Sequence, residues 1–189
     1  MVQAYSKIES TLEVLKEGKI ILIPTDTVWT LSCDINNKEA VSRIHEIRGG
    51  RDFPSIIMVS SLQMLRKHVR DIPPKIETLL NFHQHPLTII YDTPINIPDN
   101  LLNEDGSIAI HISKDPTVKF LCEAINGPLL GTTANKIEQP IPANFGQINS
   151  DILQAADKVL LIRQGEKKKS LPSVIARMGN QGELDFIRE

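Results

Sequence analysis

The sequence is poor in cysteine, in aromatic side chains and in long apolar runs. Its two cysteines, Cys33 and Cys122, lie far apart and form no CxxC pair, which argues against a disulfide framework and a structural zinc site. We expect free thiols. Stretches such as Ile20–Ile23 and Val159–Ile162 are far too short to span a bilayer, which excludes a membrane-spanning protein. Met1–Ser10 has no apolar core of signal-peptide length, so we expect a cytoplasmic protein.

An excess of positive charge is also missing. With Lys and Arg totalling 21 against 23 Asp and Glu, the formal net charge is -2, so no global positive field holds nucleic acid. Contact with a polyanion must come from a local patch such as Lys167-Lys168-Lys169, which is either a solvated loop or a site for a phosphate or RNA backbone. A chain of 189 residues that is 41% apolar can form one core, so we expect a single domain over residues 1–189.

Apolar spacing predicts alternating helices and strands. Ile8, Leu12 and Leu15 recur at helical spacing up to Gly18, and Lys19–Ile23 then reads as a strand at the centre of a sheet. Further strands are expected at Ser55–Val59, Leu87–Tyr91, Ile108–Ile112, Leu129–Gly131, Lys158–Ile162, Ser173–Arg177 and Leu184–Arg188. Further helices are expected after Asn36 or Asn37, over Ser61–His68, from Pro73-Pro74, from Asp115-Pro116 and over Ser150–Ala156. The pattern indicates an α/β (α+β) domain with one twisted mixed sheet.

Hydroxyl groups follow two of the predicted strands. Pro24-Thr25-Asp26-Thr27 leaves the central strand, where two hydroxyls and a carboxylate suit a polar ligand or, alternatively, close a turn on their own backbone. Gly131-Thr132-Thr133-Ala134-Asn135 follows the strand at Leu129, and its small residues allow backbone N–H groups to approach phosphate oxygens. Neither GxxxxGK[ST] nor GxGxxG occurs, so the common phosphate loops are excluded.

Arginine and histidine provide the remaining candidates. Arg48-Gly49-Gly50-Arg51 could bind carboxylate or phosphate bidentately, or Arg48 could simply complement the helix terminus in solvent. His83, His85 and His111 could indicate a metal, but the sequence places no third ligand beside the first two, and we predict no metal site. Neither a Ser-His-Asp nor a Cys-His pattern is evident, so nothing supports a hydrolase nucleophile.

Together these segments resemble the YrdC/YciO family of threonylcarbamoyl-AMP synthases. The resemblance runs from about Leu12 to Arg188. The segments that carry it, in order, are Gly18-Lys19-Ile20, Pro24-Thr25-Asp26-Thr27-Val28-Trp29, Cys33-Asp34, Ile47-Arg48, Pro86-Leu87-Thr88, Ser107-Ile108-Ala109-Ile110, Thr132-Thr133-Ala134-Asn135 and Pro172-Ser173-Val174-Ile175. It implies a single YrdC-like domain whose sheet surrounds a concave, positively lined cavity, sized for a nucleoside triphosphate beside a small amino acid.

The family's reaction is what the resemblance implies for function. L-threonine, bicarbonate and ATP, with Mg²⁺, would give threonylcarbamoyl-AMP and pyrophosphate, and the product would serve modification of adenosine 37 in tRNA together with other proteins of that pathway. No covalent protein nucleophile is needed, because positioning and charge neutralisation suffice. The alternative is a degenerate paralogue that binds a nucleotide, tRNA or double-stranded RNA.

The resemblance also assigns site residues. The threonine end would be lined by Thr25, Thr27, His111 and Ser173. ATP would be held by Arg48, Arg51, Thr88, Thr133 and Asn135. No catalytic residue and no protein metal ligand is assigned.

The chain departs from the family pattern at several of these positions. Arg48 stands where the family has a lysine. His111 stands where the family usually has an arginine that binds the threonine carboxylate. Replacing His111 by arginine is therefore predicted to strengthen threonine binding. Thr30 and Gly131 replace a glycine and a serine. The other departures are at Gly50, which alters the spacing of the arginines, and at His85.

Overall fold

The computed structural model describes residues 2–51, 54–166, 171–179 and 182–188, so Lys167-Lys168-Lys169 lies outside the described residues. Helices and strands alternate along the chain. The helices are α1 (Val2–Lys16), α2 (Lys38–Arg48), α3 (Leu62–Leu65), α4 (Pro74–Phe82), α5 (Pro116–Ala124) and α6 (Ser150–Ala155). The strands are β1 (Ile21–Ile23), β2 (Thr30–Ser32), β3 (Ile56–Val59), β4 (Leu87–Tyr91), β5 (Ile108–Ile112), β6 (Leu129–Leu130), β7 (Thr132–Thr133), β8 (Lys158–Val159), β9 (Val174–Met178) and β10 (Leu184–Arg188).

The strands form two mixed sheets, which confirms the mixed α/β class but corrects the expectation of one sheet. The four-stranded sheet has the order β7-β2-β1-β8, and the six-stranded sheet has the order β10-β9-β4-β5-β3-β6. The division falls inside the segment predicted as one strand at Leu129–Gly131. Leu129 and Leu130 pair with β3, whereas Thr132 and Thr133 pair with β2. The chain therefore passes directly from one sheet into the other at Gly131.

Burial explains why β1 lies inside its sheet. All its residues are buried, and it pairs antiparallel with β2 on one side and parallel with β8 on the other. Leu12 and Leu15 of α1 are buried in the same core, as their spacing predicts. Gly18 has φ 75°, the left-handed conformation that ends a helix most easily when the residue is glycine. The predicted strand at Lys158–Ile162 is shorter, because the chain turns after Val159, where the Ile162 amide donates to the Leu160 carbonyl (2.8 Å).

None of the helices in the described ranges is both long and apolar enough to cross a membrane. Cys33 and Cys122 are buried free thiols, as expected from their spacing. Burial raises the pKa of each thiol to about 12, so neither supplies a thiolate nucleophile near neutral pH.

The cap of α2 distinguishes the two predicted asparagines. Asn37 Oδ1 accepts from the Ala40 amide (3.0 Å), and Asn37 Nδ2 donates to the Gly18 carbonyl (3.1 Å), so this side chain joins α2 to the end of α1. Asn36 is exposed, and among the described residues its side chain hydrogen-bonds only Asp34.

Replacing Asn37 by alanine is expected to lower the free energy of unfolding by about 1–2 kcal/mol, because the cap and the Gly18 contact are both lost. Asn36→Ala is the matched control and is expected to change it by less than about 0.5 kcal/mol. Urea unfolding of the three proteins measures this. Equal losses for the two variants would contradict the assignment of the cap.

Candidate functional site

A row of paired positions crosses the six-stranded sheet on the face that meets the other sheet. Met58 of β3 pairs with His111 of β5, and His111 pairs with Thr88 of β4. Thr88 pairs with Ile175 of β9, and Ile175 pairs with Arg188 of β10. Paired residues point to the same face of a sheet, so the row brings together an imidazole, a hydroxyl and a guanidinium.

The four-stranded sheet supplies the opposite wall. Thr30 of β2 pairs with Thr133 of β7, and both line a cavity between the two sheets. We call it the inter-sheet cavity, and it is lined by Thr27, Val28, Thr30, Ile56, Met58, Thr88, His111, Gly131, Thr132, Thr133, Pro172, Ser173 and Arg188. Five predicted site residues thus share one cavity: Thr27, Thr88, His111, Thr133 and Ser173.

The inter-sheet cavity is much smaller than the sequence leads us to expect. Its volume is about 40 Å³, whereas one water takes about 30 Å³ in the liquid and a pocket for a drug-sized ligand has about 300–1,000 Å³. The side chains of Thr30 and Met58 both line its wall. A nucleotide therefore needs the walls to separate.

The hydroxyl groups of Thr25 and Thr27 differ in the hydrogen bonds that they make. Thr25 Oγ1 donates its proton to the Val28 carbonyl (2.8 Å) and accepts from the Thr27 amide (3.0 Å). The 2.9 Å contact between the two hydroxyls must then use the proton of Thr27. Thr25 therefore closes the turn and has no remaining hydrogen-bonding capacity, whereas the Thr27 oxygen keeps lone pairs at the cavity wall.

Asp26 joins the loop between β1 and β2 to the end of β5. Its carboxylate accepts from His111 Nε2 (3.1 Å), Ser113 Oγ (2.6 Å) and the Lys114 amide (2.9 Å). Burial alone would raise the pKa of Asp26, but hydrogen bonding and charge attraction from His111, with the other two donors, outweigh it and lower the pKa to about 2. Asp26 is therefore ionised at neutral pH.

Arg48 reaches the site through β7. Its guanidinium is buried and donates to both the carbonyl and the hydroxyl of Thr133, the latter at 2.8 Å. Thr133 Oγ1 donates in turn to Asn135 Oδ1 (2.6 Å), and Asn135 Nδ2 donates to the carbonyls of Lys136 (2.9 Å) and Gln139 (2.7 Å). Arg48 and Asn135 thus hold Thr133 from behind, and the alternative of a solvated Arg48 is wrong.

Ser173 and Arg188 complete the rim. Ser173 Oγ lies 2.7 Å from Thr88 Oγ1, and the Ser173 carbonyl accepts from Arg188 Nε (3.1 Å) and Nη2 (3.0 Å). Arg188 belongs to none of the candidate site motifs in the sequence, although it ends a correctly predicted strand. A register shift between Phe186 and Arg188 brings Arg188 opposite Ile175, and no local pattern in the sequence reveals that shift.

Other candidates lie apart from the cavity. Arg51 donates to Ser55 Oγ (3.0 Å) and to the Leu102 carbonyl, so the structure does not bring it to the other predicted residues. His83 and His85 lie between α4 and β4, and His85 is exposed. Within the described ranges, no group of three or more His, Cys, Asp or Glu side chains could hold a metal ion.

Comparison with known proteins identifies the family to which the chain belongs. The Sua5/YciO/YrdC family model, described as telomere recombination, matches residues 13–189. The chain therefore belongs to that family. Among its relatives is the threonylcarbamoyl-AMP synthase of Pseudoalteromonas translucida (strain TAC 125), which is 31% identical over 153 residues, 79% of this chain and 82% of that protein.

Solved structures show the same fold. E. coli YciO superposes with a TM-score of 0.81 at 21% identity, over 96% of this chain and 88% of that one. Sua5 from P. abyssi, in complex with L-threonine, gives a TM-score of 0.81 at 21% identity. The chain covers 96% of its own length in that match but spans only 53% of the Sua5 chain.

Met58 fills the space at the cavity wall that a side chain at position 131 would need. A Cβ on Gly131 would lie 2.9 Å from Met58 Cγ. Gly131→Ser is therefore expected to lower the free energy of unfolding by about 1–3 kcal/mol through overpacking. Gly127→Ser, whose Cβ meets nothing closer than 3.9 Å, is the control. In a Met58→Ala background the cost of Gly131→Ser should fall, and a cost unchanged by that background would contradict the shared space.

The lowered pKa of Asp26 predicts that the stability of the protein depends on pH. Its pKa is lowered from 3.8 to about 2, so its contribution is fully present above the unfolded value and is lost as pH falls through the folded one. Asp26→Asn is expected to lower the free energy of unfolding by about 2 kcal/mol at neutral pH. The difference in unfolding free energy from wild type should shrink as the pH falls from about 4 to about 2. Asp34→Asn, at a partly exposed carboxylate, is the control for urea unfolding. A difference that is constant with pH would contradict the assignment.

Proposed function

We propose that this protein is an L-threonylcarbamoyladenylate synthase, which uses L-threonine, bicarbonate and ATP and supplies the threonylcarbamoyl group for adenosine 37 of tRNA. The observation that carries the proposal is the convergence on one cavity of hydroxyls from Thr27, Thr88, Thr133 and Ser173, which are far apart in the chain. Membership of the family and the synthase names of its relatives support the same activity.

The substrates are assigned to the two ends of the inter-sheet cavity. Thr27, with His111 and Ser173 nearby, forms the L-threonine end, and the threonine complex of P. abyssi Sua5 supports a threonine site in this fold. Thr88 and Thr133 face the nucleotide, and Arg48 fixes Thr133 and contributes a buried positive charge. Arg188 adds a second guanidinium at the rim. Arg51 is left out, because its guanidinium contacts Ser55 and Leu102.

The chemistry needs positioning rather than a protein nucleophile. The threonine amine and bicarbonate form a carbamate and water. A carbamate oxygen then attacks the α-phosphate of ATP, the new P–O bond forms, and the bond to the leaving pyrophosphate breaks. Charge builds up on the phosphate oxygens, where Arg48 and Arg188 supply positive charge. The buried thiols, with pKa values of about 12, play no part.

Mg²⁺ is assigned to the nucleotide rather than to the protein. The donor set described above offers no carboxylate cluster, and Asp26 is already occupied by three donors. Mg²⁺ commonly keeps several waters and is bound through substrate phosphates, so it would enter as MgATP.

The direct test is pyrophosphate release. Purified protein with ATP, bicarbonate and Mg²⁺ is expected to release pyrophosphate only when L-threonine is added, with threonylcarbamoyl-AMP as the co-product. Absence of threonine-dependent release from folded protein at high enzyme concentration would overturn the proposal. Binding of ATP, tRNA or duplex RNA without turnover, compared at two salt concentrations, would instead support the degenerate paralogue.

Thr27→Val tests the threonine end. The change keeps the shape and removes the only hydroxyl of the Thr25–Thr27 pair that has free lone pairs, so KM for L-threonine is expected to rise about fivefold, corresponding to about 1 kcal/mol. KM for ATP should stay within about twofold. Thr78→Val, on an exposed face of α4, is the matched control. An unchanged KM for L-threonine would remove Thr27 from the site.

A further inference from the structure

The ring of His111 lies between two oxygen acceptors. Nδ1 is 2.9 Å from the Leu87 carbonyl oxygen, and Nε2 is 3.1 Å from Asp26 Oδ2. The ring is buried, so water does not substitute for either contact. A carbonyl has no proton to give, and ionised Asp26 has none either. Both ring nitrogens must donate, and only the doubly protonated imidazole carries two N–H groups.

Asp26 transmits this contact to the threonine end. It sits between Thr25 and Thr27 in the loop that follows β1 of the four-stranded sheet. Its three donors all belong to β5 or to the residues directly after it in the six-stranded sheet. The position of the Thr27 hydroxyl at the cavity wall therefore depends on a contact made across the two sheets.

The charges around the ring leave Asp26 as its partner. The residues paired with His111 on β3 and β4 are Met58 and Thr88, which carry no charge. Arg188 lines the same cavity from β10, and Lys114 follows β5. Behind the loop, Asp115 is held by Arg163 at 2.7 Å. Among the described residues, Asp26 is the one carboxylate that hydrogen-bonds the imidazole.

We propose that His111, in its doubly protonated form, is a positioning residue that holds Asp26 and thereby fixes Thr27 for L-threonine, rather than a direct ligand of the threonine carboxylate. Loss of one ring proton removes one of the two hydrogen bonds and releases the loop. Affinity for L-threonine then falls when the ring loses this proton. The role in threonine binding rests on the proposed function, whereas the state of the ring does not.

Kinetics as a function of pH test the positioning role. As the pH is raised until the ring loses one proton, which its NMR signals report, wild-type KM for L-threonine is expected to rise while kcat at saturating threonine changes less. His111→Arg, which stays charged and can donate to both acceptors, should remove this pH dependence. His111→Gln, which has one donor group, should raise KM at least fivefold at low pH. His85→Gln, at an exposed site, is the matched control and should behave as wild type. A flat wild-type profile, or a His111→Gln variant with wild-type KM, would overturn the proposal.

A second measurement needs neither substrate nor activity. In the free protein, ¹⁵N NMR is expected to show N–H protons on both His111 nitrogens at the pH where threonine binds best. Exchange of the Lys114 amide, which donates to Asp26, should accelerate beyond its intrinsic pH dependence when one proton is lost, and His111→Arg should suppress this. A singly protonated ring at that pH, or Lys114 exchange indifferent to the ring, would overturn the proposal. If turnover is absent but both NMR signatures appear, the synthase assignment fails, whereas the assignment of a doubly protonated His111 that holds Asp26 stands.

Discussion

The carboxylate of Asp26 is the contact on which the geometry of the site depends. It leaves one sheet in the loop after β1 and is held by groups at the end of β5 in the other sheet. The same loop is held from behind by Arg163, which donates to the Thr25 carbonyl (3.2 Å). Because Asp26, His111 and Ser113 are largely removed from water, a missing partner costs more free energy there than it would at the surface. The loop therefore keeps one conformation, and Thr27 keeps one position.

Much of the fold follows from local patterns in the sequence. The strands Leu87–Tyr91, Ile108–Ile112 and Leu184–Arg188 are found with the predicted bounds. In the first two, dense apolar and β-branched runs between turn residues leave little ambiguity. The division into two sheets was not predictable in this way. Leu129 and Thr132 differ in their pairing partners rather than in their own propensity, and pairing between distant strands leaves no local trace.

The site shows the same difference between local and distant information. The resemblance identifies segments that meet at the cavity. It does not reveal that the Thr25 hydroxyl donates to a backbone carbonyl or that Arg51 donates to the Leu102 carbonyl. Those outcomes depend on side-chain directions. The contact of Asp26 with His111 joins residues from different sheets, so neither residue's neighbours in the chain predict it. The loss of a side chain at Gly131 is likewise intelligible only beside Met58, which takes the space.

The extra residue in β10 has a consequence for which chemical group the cavity receives. Phe186 pairs with Ala176, yet Arg188 rather than Ile187 pairs with Ile175. In an uninterrupted ladder, a branched alkyl chain would stand at the end of the row that contains Thr88 and His111. One added residue at the margin of the sheet thus places a guanidinium, rather than an alkyl chain, at the end of this row.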